Sequence, residues 1–489
     1  MADCPLTDTE NGNLRRRAFL VLFLLACAGA VSLQRLVDPD LFWHLRAGQD
    51  ILRAGRAALP DTWTYVFAGK PWVNQQWLTQ ILLYKAYDWG GYWGLALLKG
   101  LLAAAVFGLV LATIKGKLPG VRYLTASVAA AYLAWFFMFR THTFSLLGMA
   151  SLVFLLERVS PKPRLFFLAA LFALWANVHA FFGLGLGVLG LWTVTRWVAE
   201  RAWEPPAKRG AMLWEAAAIP LSGLATLLNP FGYRIWETAF SVVSNRESYL
   251  VTEWWPVWKF KLADVWSFYA FLAVVAFLVV FFPKNIHWPS LVSTLVLAVM
   301  AVRSVRFTST IVLPAVPLLA ALLGAAAEAM GSSRAYDALK RKGPPLAAAC
   351  LAAVVTFSCS DNLSHPIVTP GKFLHHDFPV AAVRWMKARG LKGKLFDEYG
   401  WGGYLAWALP ESCVFIDGRT GVLLYPPGFV ADWKNTVDIL PGWRARLLRE
   451  DPDFALLSVD DYLAWQLSDD PEWTLLYKDH MAALFARKR

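Results

Sequence analysis

Between Asp38 and Trp77 the chain reads DPDLFWHLRAG at 38–48, LPDTWTY at 59–65 and KPWVNQQW at 70–77. Asp38, Asp40, His44, Asp61 and Asn74 share this stretch with Trp43, Trp63, Trp72 and Trp77, directly after the first hydrophobic run. Elsewhere in the first half, apolar runs alternate with short basic connections. This long polar and aromatic loop is therefore where chemistry is expected, and the rest of the chain is expected to hold it.

Of 489 residues, 57% are hydrophobic and only 17% charged, too apolar for a soluble chain of this size. Runs near the length needed to cross a bilayer recur at 18–37, 91–114, 123–139, 143–156, 165–178, 181–194, 212–228, 266–282, 288–302, 307–327 and 346–357, about eleven spans. The first follows Arg15, Arg16 and Arg17 but lacks a small-residue cleavage site before the acidic loop. It reads as a retained anchor and not as a signal peptide.

Lysine and arginine gather in alternate connections: at Arg15–Arg17, at Lys115, Lys117 and Arg122, at Arg158, Lys162 and Arg164, from Arg196 to Arg209, at Lys284, and from Arg334 to Lys342. The positive-inside rule makes that side the cytoplasm. The external segments are then 38–90, 140–142, 179–180, 229–265, 303–306 and everything after 358. This implies a multi-pass protein of the bacterial inner membrane with its N-terminus inside. The net charge of +12 reads as a topology signal and calls for no nucleic-acid partner. Of five cysteines, only Cys359 and Cys413 share the external side, where a disulfide is one possibility.

From about Asp361 the composition turns soluble, dividing the chain into a membrane domain (1–360) and an external domain (361–489). Alternating runs at 394–399, 413–416, 454–459, 473–477 and 481–486 predict strands. The spacing at 380–389 and 442–450 predicts helices. A small α/β domain capping the external face is expected.

Asp38-Pro39-Asp40 sets two carboxylates two residues apart with a stiff proline between them. The pair suits a shared divalent cation such as Mg or Mn, or a split between metal ligand and general base. The competing reading is that Asp40 caps an amphipathic helix, Leu41–Ala54, while Asp38 is solvated.

An acidic motif opening a long first external loop, many spans and a soluble external tail resemble the GT-C class of polyprenyl-phosphate-dependent glycosyltransferases. That class includes oligosaccharyltransferase catalytic subunits and protein mannosyltransferases. The three loop motifs, with WANVH (175–179), LNPFG (228–232), Glu253-Trp254, Arg306-Phe307, WGGYLAW (401–407) and FIDGR (415–419), also resemble bacterial multispan proteins grouped beside it. The resemblance implies a GT-C-like polytopic α-helical fold with a C-terminal external α/β domain. It also implies transfer of a sugar from a polyprenyl-linked donor to an external protein, glycan or lipid acceptor. Asp38 and Asp40 would then be base or metal ligands. The class often has a second acidic motif in the next external loop, where this chain has Arg140-Thr141-His142, which suits a phosphate.

His44 follows Asp40 by four residues and can share its helix face. Asn177 and His179 bring polar groups to the external end of a span, and Arg303 with Arg306 offers planar forks to donor phosphates. Glu253 is loosely similar to an oligosaccharyltransferase loop glutamate. Tyr399, Trp401 and Tyr404 read either as a sugar-stacking acceptor surface or as a glycine-rich turn after a strand. Two other functions stay open: a transporter or flippase of lipid-linked glycans, for which Glu215 is a candidate ionisable group, and a non-catalytic subunit of an envelope-assembly complex.

Overall fold

Backbone amides in hydrocarbon can be satisfied only within their own segment or a closed barrel, and this chain's apolar runs are helical. The computed structural model describes residues 24, 26–27, 29, 31, 38–115, 118–137, 140–201, 209–244, 252–331, 333, 336–337, 374, 377–419 and 424–489. The expected span 18–37 is thus described only in part, and 346–357 lies outside the described residues. In chain order the helices are α1 (Leu41–Ala54), α2 (Trp77–Thr113), α3 (Pro119–Leu133), α4 (His142–Arg158), α5 (Pro161–Trp175), α6 (Phe182–Arg201), α7 (Arg209–Ala225), α8 (Arg234–Ser244), α9 (Leu262–Phe281), α10 (Trp288–Arg303) and α11 (Val312–Ala329). Every run expected from 91 to 327 carries one of them. Four helices among the described residues, Trp77–Thr113, Phe182–Ala199, Leu262–Phe281 and Val312–Ala329, are long and apolar enough to cross a membrane.

The loop 38–90 is more ordered than an irregular connection. It contains α1 and the first part of α2, which begins well before the apolar run. Gly90 and Gly91 break α2, with Gly91 at φ +56°, a conformation that costs glycine nothing. The break falls where loop helix gives way to apolar span. Helix α1 crosses α2 closely because Gly48 has no side chain: a Cβ there would sit 2.2 Å from the carbonyl oxygen of Gln80.

The tail follows as α12 (Val380–Ala388), β1 (Lys394–Asp397), α13 (Gly402–Ala408), β2 (Cys413–Val414), α14 (Phe429–Val437), α15 (Trp443–Arg449), β3 (Phe454–Ser458), α16 (Tyr462–Ser468), β4 (Trp473–Lys478) and β5 (Ala482–Arg487). Its sheet runs β2-β1-β3-β5-β4, with β1 parallel to both neighbours and β5 antiparallel to β3 and β4. The central strands read as apolar runs because both faces are covered. Phe396, Ala455 and Leu457 pack under α14–α16. Leu395, Leu456 and Leu484 face Leu41, Phe42 and Leu45 of α1 and Leu83 and Leu95 of α2. The tail and the first loop thus share one core.

The loop also closes the sheet. Thr64 forms a parallel bridge with Val414, Val414 N donates to the Trp63 carbonyl at 2.9 Å, and Tyr65 N donates to the Val414 carbonyl at 3.2 Å. The outer edge of β2 is thereby covered, as exposed strand edges commonly are. The turn expected after β1 falls at 399–401, and the paired glycines of WGGYLAW open α13, which lies on α1. Cys413 is a free thiol among the described residues; Cys359, the other half of the disulfide reading, lies outside them.

Candidate active site

The end of β1, the start of α1, the turn before α4, the 252–255 turn and the turn after α10 meet at one end of the helices. Asp38 and Asp40 do not play the parts of solvated acid and helix cap. Asp40 makes no side-chain cap bond. Instead Asp38 Oδ1 accepts the Asp40 amide at 2.9 Å, and Asp40 Oδ1 accepts the Trp43 indole N–H at 3.0 Å. Asp38 is sealed, its side chain 1% exposed, whereas that of Asp40 is 27% exposed. Gly418 of FIDGR lets the tail approach, since a Cβ there would lie 2.5 Å from Asp40 Oδ1.

Arg140 faces this pair. Its Nε donates to Asp38 Oδ2 and lies 3.7 Å from Asp40 Oδ2, while its Nη1 pairs with Glu253 Oε1. Arg306 Nη1 donates to the other Glu253 oxygen at 3.0 Å, with its guanidinium 5.1 Å above the Trp254 ring. The relay Asp38–Arg140–Glu253–Arg306 therefore joins four residues from distant parts of the chain. Tyr399 stands within electrostatic reach of both arginines.

Burial pushes the Asp38 carboxyl up to about 7, against the pull of Arg140 and with help from Asp40. Burial also sets the His44 imidazole down to about 3 and moves His179 well below its usual range, with Arg306 adding to the effect. Both are neutral and do not serve as phosphate-binding cations. Arg306, pushed down to about 10 by burial and by Arg140, keeps its charge at neutral pH.

The other expected residues divide. His44 lies beside Trp43 and meets Gln80 Nε2 at 3.4 Å, so it packs α1 on α2. Asn177 accepts the Trp77 indole N–H at 2.8 Å and donates to the Ala173 and Leu228 carbonyls; it clasps the start of α2. His179 meets Ser145 Oγ at 2.9 Å. His142, two residues after Arg140, opens α4. Arg303 is exposed and joins no ion pair among the described residues. Trp401 and Tyr404 are buried. Tyr404 meets Phe42 and Phe378 at 5.0 Å each, so these two rings fasten the tail to α1 and offer no sugar-stacking surface. Glu215 is held by Arg164 at 2.8 Å and Arg196 at 2.9 Å, a closed network and not an isolated ionisable group.

One residue was missed. Lys99 is buried in α2 and lines a small space together with Arg140 and Thr143. Its signal was a lone lysine within an apolar run, which is costly unless it faces an interior.

The donors do not fit a divalent cation as they stand. Among the described residues no group of three or more His, Cys, Asp or Glu side chains is arranged to hold one. The Arg140 guanidinium occupies the place between Asp38, Asp40 and Glu253.

No protein-family model matches the chain, and no curated protein does. Solved structures do. ArnT from Cupriavidus metallidurans bound to undecaprenyl phosphate is 14% identical, with 96% of this chain and 97% of that chain covered at a TM-score of 0.56. The same protein in the apo state is 13% identical, with 97% and 98% covered at 0.59. The Archaeoglobus fulgidus oligosaccharyltransferase in the apo form is 10% identical, with 90% and 69% covered at 0.60. At such identities the likeness is one of fold. It extends over nearly the whole chain, spans and tail together, and so this protein has the polytopic membrane fold of the GT-C class that its motifs resemble.

Proposed function

We propose that the chain is a membrane glycosyltransferase that moves a sugar from a polyprenyl-phosphate donor to an acceptor on the face where the C-terminal domain sits. The observation that carries this reading is the site itself: an accessible acid, Asp40, beside two arginines that share one carboxylate. It lies in a fold also found in a protein crystallised with undecaprenyl phosphate. The basic connections support an external location for that face. Helix α4 carries His142 at the site end and Glu157 about 22 Å away, where Lys115 and His287 pair with Glu157. The positive-inside rule puts that far end in the cytoplasm.

In this reading an acceptor hydroxyl or amine bonds to the anomeric carbon of the donor sugar and gives its proton to Asp40. The bond from that carbon to the phosphate oxygen breaks, and its electron pair leaves on the lipid phosphate. Arg140 and Arg306 offset the charge that appears there, a role for which planar guanidinium groups suit phosphate oxygens. Asp38, sealed behind, positions Arg140. No step passes through a metal ion.

The test titrates the full chain in lipid nanodiscs with undecaprenyl phosphate. Saturable binding is expected, weakened at least about tenfold in Arg140→Gln and in Arg306→Gln by loss of a charge-assisted bond. No binding, or equal binding by all three proteins, overturns the reading.

A further inference from the structure

FIDGR (415–419) takes no part in the chemistry above, yet its glycine lies against the acid that does. A Cβ on Gly418 would sit 2.5 Å from Asp40 Oδ1 and 2.9 Å from the Trp43 indole nitrogen. Gly418 is outside the left-handed region of φ, so its backbone suits any residue and only the lack of space excludes a side chain.

The loop that carries it is held on both sides. Asp417 packs on α13, where a Cβ on Gly402 would lie 2.9 Å from the Asp417 Cα, and its amide donates to the Tyr425 hydroxyl at 3.1 Å. Arg419 is buried. Its Nε donates to Asp417 Oδ1 at 2.9 Å, its Nη2 pairs with Asp61 of the first loop at 2.7 Å, and its guanidinium lies 3.9 Å from the centre of the Trp63 ring. A buried network of charge-assisted bonds leaves so short a loop little freedom, and Gly418 is therefore a fixed wall.

Trp43 fills the slot beside that wall. It is buried, and a Cβ on Gly403 would meet its Cδ1 at 3.1 Å. Its indole N–H donates to Asp40 Oδ1 at 3.0 Å. One oxygen of Asp40 is thereby held against the tail, while the other, Oδ2, lies 3.7 Å from Arg140 Nε and is the one left to take a proton.

We infer that Gly418 and Trp43 are positioning residues for the transfer, through which the C-terminal domain aims Asp40 Oδ2 at the acceptor. The inference rests on the reading of Asp40 as base. A methyl group at 418 would displace the carboxylate by about 1 Å, a misplacement that can cost about 10²-fold in rate. Donor binding, which falls to Arg140 and Arg306, is left intact.

The experiment compares the native chain with Asp40→Asn, Gly418→Ala and Trp43→Phe at matched expression. Glycan attached to envelope acceptors in a complemented deletion strain reads transfer. Titration of undecaprenyl phosphate with the full chain in lipid nanodiscs reads donor binding. For Gly418→Ala, transfer is expected to fall about 10–100-fold, with Kd within about twofold of native and the melting temperature unchanged. Trp43→Phe keeps an aromatic ring and removes the N–H; it should behave alike, and it replaces Gly418→Ala if that variant fails to fold. Native-level transfer in both positioning variants while Asp40→Asn is reduced overturns the inference and leaves the base reading standing. A loss of transfer that tracks lowered donor affinity or a lowered melting temperature in both also overturns it. Native-level transfer in Asp40→Asn removes the base reading itself, and the inference with it.

Discussion

Arg306 Nη1 donates to Glu253 Oε2 at 3.0 Å across 53 residues of sequence. Since the other oxygen of Glu253 meets Arg140, one carboxylate occupies both cationic groups proposed for the donor phosphate. The turn that carries it does not depend on that side chain: Ser304 Oγ donates to the Glu253 carbonyl at 3.1 Å, and Val305 N donates to the Trp255 carbonyl at 2.9 Å.

A phosphate arriving between the arginines must therefore compete with Glu253. Glu253→Gln is expected to raise the affinity for undecaprenyl phosphate about tenfold, because one charge-assisted competitor is weakened. Titration of both proteins checks this. A fall in affinity would make Glu253 part of the phosphate frame and not its rival.

The two aspartates are expected to fail differently. Asp40→Asn removes only proton affinity from a partly open side chain that does not cap its helix. Transfer should drop about 10²–10⁴-fold with the melting temperature unchanged. Asp38→Asn deprives Arg140 of its sealed partner and should lower stability by less than the about 3–5 kcal/mol of a fully broken buried pair, because Arg140 is partly open and keeps Glu253. Melting curves beside a measurement of glycan attached in a complemented deletion strain separate the two. Equal behaviour of both variants would remove the division of roles.

In the tail, burial and then the neighbouring Asp461 carboxylate push Glu398 up to about 8, above the ordinary range near 4.3. A raised folded value means that the folded protein binds the proton more tightly than the unfolded chain. The contribution is complete below about pH 4 and is lost as pH rises through 8. Melting temperature measured from pH 6 to 9 should fall more steeply for the native chain than for Glu398→Gln, which stays neutral throughout. Parallel curves would show that Glu398 carries no excess proton.

Phe42 fixes the tail to α1, its ring centre 5.0 Å from those of Phe378 and Tyr404. Phe42→Ala should cost about 3–5 kcal/mol at that interface and speed protease release of the tail, while leaving the melting of the spans in place. Limited proteolysis followed over time reads the rate. An unchanged rate would move the anchorage to the edge pairing of Thr64 with Val414.

The local elements were legible because their signals are local. Apolar length marked the spans, short alternating or apolar runs marked the five strands, and the helix Leu41–Ala54 was readable from its own periodicity. The loop motifs pointed to the Asp38–Asp40 end of the chain, and the resemblance they carry gave the fold class. Contacts across the fold were not legible. That Arg140 sits between Asp38 and Glu253 depends on how α1, α4 and the turn after α10 pack, and no spacing in the sequence encodes it. The aromatic residues of WGGYLAW form a buried joint with the first loop, and that it is Phe42 of α1 that meets them was likewise decided by packing. Sequence periodicity determined which residues form helices and strands, since each such element satisfies its own backbone by a repeating local rule. Tertiary structure alone decided which charges meet, because burial and partner, and not residue type, set what a buried carboxylate or guanidinium does.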